Sequence, residues 1–257
     1  MQRAAQAVVQ ARGTDYAKIT SPVRIRERDH YFAGRILLWT DINLQGPWVD
    51  LANEDELSPD QKKSIAIPIN ARPNYRTFDY VFDNQRHDFW FEASSSMNQN
   101  LGATTAKRVL ARLVSPEVLG ADHPTIEVSI IPEEGAVDKI LAMPRLQSLF
   151  IRVVRPNPDY SSPAARKRVE DRLRAAGAQK EELTLTKARD AIKLTPPDDV
   201  IERARVAADT GLVRGEERQE DGRKVVLSTD ALPQRIQIAN DGDRSLVESL
   251  VSFLRRR

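Results

Sequence analysis

The sequence predicts an α+β protein, mainly antiparallel sheet with two hairpins, packed by helices. Three observations carry that expectation. RTFDYVF (76–82) and HDFWFEA (87–93) are alternating runs joined through 83–86, and GLVRGEE (211–217) and GRKVVLS (222–228) flank Asp221-Gly222. Both pairs have the form of a hairpin. Strands and helices do not alternate strictly, as a doubly wound parallel sheet would require. The chain has 257 residues, 40% of them hydrophobic, enough for one large domain or two modest ones. A soft boundary near 143–145 separates residues 1–143, an α+β subdomain with an aromatic hairpin, from 144–257, an α+β subdomain with a basic helix and a terminal amphipathic helix. One continuous sheet shared by both halves is the alternative.

In order along the chain, 2–12 reads as a short helix with Ala4, Val8 and Ala11 on one side, stopped by Gly13. Arg24, Arg26 and Arg28 alternate with Val23 and Ile25, as in a short half-exposed strand. GRILLWT (34–40) is a clear strand, and 41–60 is loop-like. Ile65, Ile67 and Ile69 have period-two spacing, and Pro68 places them at a sheet edge or strand end. In the first hairpin Phe78, Tyr80 and Phe82 share one face, as do Phe89 and Phe91, so the aromatics are expected to pair across strands over a core. Thr104 or Thr105 is expected to cap a helix carrying Val109, Leu110, Leu113 and Val114. A strand at 125–131, a short helix at 135–143 and a long strand at 146–154 follow. Ser161–Ala176 is a basic helix, with Pro163 in its first turn and Gly177 at its end. After a strand at 182–186, a helix runs from the Pro196-Pro197 region to Ala208. The second hairpin, a short strand RIQIA (235–239) and a terminal helix over 244–257 complete the chain.

Composition excludes several chemistries. Cysteine is absent, which removes disulfides, thiol catalysis and Cys-based zinc sites and fits a reducing, cytoplasmic setting. No apolar run is long enough to span a membrane, and MQRAAQAVVQARG lacks the apolar stretch of a secretory signal. GxxxxGK[ST], HExxH and GxSxG do not occur, and no cofactor is expected. The net charge of +2 is unevenly placed: residues 146–257 hold 22 Lys and Arg against 18 Asp and Glu, leaving the remainder slightly acidic.

Three constellations could carry function. Arg166, Lys167, Arg168, Arg172 and Arg174 surround the basic helix, with Val169 and Leu173 as its inward stripe and Arg155 in the preceding loop. Positive charge and backbone donors can grip phosphates with little sequence precision; a solvated helix covering the sheet is the competing reading. The acids Asp79, Asp83, Asp88 and Glu92 lie on the aromatic hairpin with His87, and a converging cluster there could hold a divalent cation for phosphodiester cleavage. The bland counterpart is an outward polar face of a half-buried hairpin. Leu246, Val247, Leu250, Val251, Phe253 and Leu254 form a broad apolar stripe on the terminal helix, suited either to its own core or to a second subunit through Leu246, Leu250, Phe253 and Leu254.

GRILLWTDI (34–42), FDYVFDNQRHDFWFE (78–92), LFIRVVRPNPD (149–159) and the hairpin ADTGLVRGEERQEDGRKVVLST (208–229), closed by Pro233, resemble a bacterial family numbered 4747 among the domains of unknown function. The resemblance implies no activity; members look like accessory genes of phage or mobile-element conflict. The element order of the second half is similar to the phage Rex exclusion protein A, which implies a dimeric, DNA-associated protein acting in phage exclusion. The expectation is therefore a cytoplasmic, non-enzymatic homodimer that binds DNA or RNA and serves phage defence. A metal-dependent nuclease and a protein-interaction module acting through the terminal helix are the alternatives.

Overall fold

The computed structural model describes residues 1–25, 30–95, 98–155, 164–238 and 245–255, with backbone alone at 164–166. It is an α+β fold on two antiparallel sheets. The first contains β1 (Val9–Arg12), β2 (Asp15–Ile19), β3 (Val23–Arg24) and β4 (Tyr31–Thr40). After a small ribbon of β5 (Val49–Asp50) and β6 (Asp55–Glu56) and helix α1 (Pro59–Lys63), β7 (Arg76–Asp83) and β8 (Asp88–Phe91) complete it. The order is β1-β2-β4-β7-β8, with β3 also paired to β4.

The expected helix over 2–12 is instead a single 3-10 turn at Ala4–Gln6 followed by β1, which pairs β2 through Arg12↔Asp15. Gly13 takes φ +54° in the intervening turn, a conformation open to glycine without a side-chain clash. Val9, Ala11, Ala17 and Ile19 are thereby buried on one face. That face joins Ile36, Leu38, Phe78 and Tyr80 with Ala106, Val109 and Leu113 of α2 (Ala103–Leu113) and Leu119 of α3 (Pro116–Leu119). Tyr80 lies directly across from Gly34, where a Cβ would come within 2.7 Å of the phenol oxygen; the missing side chain is what admits the ring. Burial pushes the Tyr80 hydroxyl up to about 12. Gly102, not Thr104 or Thr105, is the N-cap of α2, with no side-chain cap.

After α4 (Ala136–Leu141), the second sheet is formed by β9 (Leu146–Val154), β10 (Lys180–Thr186), β11 (Leu212–Arg218) and β12 (Lys224–Ser228), in the order β10-β9-β11-β12. Between its strands run α5 (Ala164–Ala175) and α6 (Asp198–Thr210). Leu149, Ile151, Val153 and Val213 on the sheet meet Val137 and Ile140 of α4, Val169 and Leu173 of α5, and Val200, Ala204 and Ala207 of α6 in one buried cluster. The inward stripe expected for the basic helix is the observed one.

Helix α7 (Leu246–Leu254) closes the chain. Ser245 and Glu248 form a reciprocal capping box at its start. It packs on the first sheet, not the second: Leu250 and Val251 are buried with Tyr31 and Val81, and Trp90, Val247 and Leu254 lie against them half-buried. Of the four residues considered for a subunit contact, Leu250 and Leu254 thus face the chain's own sheet, Leu246 is half-buried, and Phe253 is 36% exposed.

Among the described residues, three expected strands do not form. Residues 65–69, 125–131 and 235–238 are outside any ladder; the nearest pairing is the single bridge Pro132↔Pro233. Ile69 is 88% exposed and Ile126 47%, so apolar alternation there does not mark a buried face. A strand needs a neighbour to complete its hydrogen bonds, and alternation alone does not supply one.

Candidate nucleic-acid interface

The cations of the basic helix α5 are largely engaged. Arg168 pairs with Glu202 of α6, and Arg172 with Glu181 of β10. Arg174 reaches Glu170 at 2.6 Å and Asp171 at 3.6 Å along its own helix. Arg203 of α6 adds a second cation to Glu181 at 3.6 Å. These contacts tie α5 to α6 and β10 and balance its charge locally. Lys167 is exposed, and Arg155 is exposed just past β9, its backbone N–H donating to Gln179 O at 2.9 Å. The Arg166 side chain, and residues Asn157, Asp159 and Pro163, lie outside the described residues.

The second sheet has a different surface. Successive side chains of a strand point to opposite faces, so helices covering Leu149, Ile151 and Val153 leave Ser148, Phe150 and Arg152 on the other side. The register extends that side across the sheet. One row holds Thr184, Phe150, Arg214 and Ser228; the next toward one end holds Glu182, Arg152 and Leu212; the next toward the other holds Thr186, Ser148, Glu216 and Val226. No cluster of buried apolar residues forms on this face among the described residues. Phe150 is half-buried, with the Arg214 guanidinium carbon 5.2 Å from its ring centre, within cation–π range.

Arg152 is the outlier on this face. Its Nε is buried and has no hydrogen-bond partner. Its cross-strand neighbour Glu182 pairs with Lys180 at 3.2 Å instead. Glu216 is shared by Lys224 at 2.7 Å and Arg214 at 3.8 Å. The face thus carries Lys180, Arg152, Arg214, Arg218 and Lys224 against Glu182 and Glu216, an excess of positive charge around an aromatic ring. In the sequence, Phe150 and Arg152 are simply members of a strong strand. The available signal was an aromatic at a polar-face position, beside Ser148 and Arg152.

The hairpin acids are not drawn into one group. Asp83 is buried and accepts the N–H groups of Gln85 and Arg86 at 2.9 and 3.1 Å, closing the turn before β8. Burial raises the Glu92 carboxyl above its ordinary range, with a smaller push from the Asp79 charge, against the opposing hydrogen bond that the Asp79 N–H donates to Glu92 Oε2 at 3.3 Å. His87 is exposed at the turn with φ +57°. Among the described residues, no three His, Asp or Glu side chains are placed to share a metal ion. Nor, among those residues, is any helix long and apolar enough to cross a membrane.

Fold and surface together define an α+β protein of two antiparallel sheets, the second of which presents an open face with an aromatic residue among cations. The chain belongs to the family described as Domain of unknown function (DUF4747), whose pattern matches residues 1–255. No curated protein and no solved structure matches it.

Proposed function

We propose that the protein is a non-enzymatic, nucleic-acid-associated protein whose binding surface is the open face of the second sheet, around Phe150, Arg152 and Arg214. The carrying observation is Arg152. Phosphate oxygens are suited to a guanidinium's planar fork of donors; the Nε of Arg152 is closed to solvent, so a phosphate would meet the terminal nitrogens of that side chain. The α5 cations are secondary in this reading. Exposed ion pairs such as Arg168–Glu202 contribute about 0–1 kcal/mol, so they can exchange a carboxylate for a phosphate at small cost. Action in the cytoplasm in phage defence or exclusion is the setting we propose, and the family resemblance with the Rex-like order of elements is its support.

Fluorescence anisotropy of labelled DNA and RNA against the full chain tests the binding. Affinity should fall steeply as salt rises, because each neutralised phosphate releases counterions. Arg152→Gln with Arg214→Gln should flatten the logarithmic salt slope by about 1.5–2, two contacts' worth. Absence of binding to any nucleic acid at low salt would sink the proposal.

Self-association is a second reading, favoured by one observation: Phe253 stays 36% exposed while its neighbours on α7 are covered. Sedimentation of the wild type and of Phe253→Ser decides it. A dimer that dissociates in the variant supports a contact there; a wild-type monomer removes it.

A further inference from the structure

We propose that the ligand of the open face is single-stranded, and that one of its bases stacks on Phe150. This deepens the nucleic-acid reading and rests on it. A duplex buries its bases and shows a protein only groove edges and phosphates, and the elements that read it are protruding helices or ribbons. Phe150 instead lies in the middle of a sheet, flanked by Thr184 on β10 and Arg214 on β11, with Ser228 beyond. A ring set flush in such a surface cannot enter a groove, but it can receive an unstacked base.

The surroundings fit the rest of a nucleotide. Arg152 stands two residues from Phe150 on the same face of β9, about 7 Å along the strand. Its Nε has no protein partner. The cross-strand carboxylate that could have neutralised it is taken by Lys180. Arg214 already rests against the ring; when a base displaces it, its guanidinium is free to meet the adjoining phosphate. Ser148, Thr184, Thr186 and Ser228 offer hydroxyls that donate or accept alike, so the surface imposes little base preference. Its charge excess and central ring suit single-stranded nucleic acid better than an apolar protein partner, since beside Phe150 the apolar residues of this face among those described are Val226, the half-buried Leu212 and the buried Val154.

The test compares labelled single strands of about twelve nucleotides, within the site size of a small stacking domain, oligothymidylate and oligouridylate, with a duplex of equal length. Each is titrated against the wild-type full chain, Phe150→Leu, Phe150→Tyr and Arg152→Gln, with thermal melts verifying that every variant is folded. The proposal expects single strands to bind at least about tenfold tighter than duplex. It expects Phe150→Leu to lose about tenfold in affinity, Phe150→Tyr to retain it, and Arg152→Gln to lose affinity with a shallower salt dependence. If wild type binds nucleic acid but Phe150→Leu matches it, or duplex binds as well as single strand, the stacking site is overturned and the broader reading survives. If nothing binds, both fall. Should Phe150→Leu fail to fold, the strand preference and the Arg152→Gln result still decide.

Discussion

The two sheets are packed in opposite ways. The first is covered on one side by α2 and α3 over Phe78 and Tyr80, and at its β4–β7 centre on the other by α7 over Tyr31 and Val81. The second has helices α4, α5 and α6 on one side, and its other side carries Phe150 among arginines. A sheet with apolar cover on both faces spends its side chains on stability; one with its helices on a single face has side chains left over for a ligand. The difference teaches where to look for function: the aromatic-rich hairpin is scaffold, and the single phenylalanine on the quieter sheet is the candidate contact.

The sharpest way to break this comparison is to cut the first core. Phe78→Ala should cost about 3–5 kcal/mol in a denaturant melt, since Phe78 is 1% exposed. Phe91, half-buried at the edge of that cluster, should lose roughly half as much. Equal losses at the two positions would mean that the core is not centred where the packing places it.

Next in size is the second cover. Leu250→Ala should destabilise by about 2 kcal/mol and should do so without changing the sedimentation coefficient, because the residue faces its own sheet. An effect on oligomeric state with no loss of stability would move α7 to a subunit contact.

On the open face the expected sign reverses. Arg152→Met removes an unpartnered buried nitrogen while keeping an apolar stem. Stability should stay within about 0.5 kcal/mol or rise, while nucleic-acid affinity falls. A clear loss of stability would show that Arg152 serves the fold.

The smallest expected effect is electrostatic and belongs to the first sheet. Burial works against the Asp15 charge, yet hydrogen bonds from Arg76 at 2.6 Å and Thr40 at 2.8 Å outweigh it and hold the carboxyl below its ordinary value of 3.8. A carboxyl depressed in the folded state contributes stability above its unfolded value and loses it as pH falls through the folded one. Asp15→Asn should therefore be less stable than wild type near neutrality, with the gap closing in acid melts below about pH 4. A gap that is constant with pH would assign the effect to packing alone.

Much of this architecture was legible in the sequence, for identifiable reasons. Both hairpins, β9 and helix α6 stand out because their apolar periods are long and bounded by turn residues. Residues 2–12 misled because Ala4, Val8 and Ala11 satisfy a helical spacing, while Val9 and Ala11 equally satisfy a strand once β2 is there to pair. Ile65–Ile69 and 125–131 alternate correctly but meet no partner strand. The site was less legible than the fold. The cations of α5 are conspicuous in sequence, yet Glu181 and Glu202, which engage Arg172 and Arg168, come from other elements. Phe150 and Arg152 gain meaning only when cross-strand register sets Arg214 beside them, and register is a long-range property.

The most direct test of the open face is photo-cross-linking of a bromouracil-substituted single strand to the full wild-type chain, followed by mapping of the linked peptide. The account predicts cross-links concentrated on β9 at Phe150 and on β11 around Arg214. Cross-links confined to α5 or to the first sheet would contradict it.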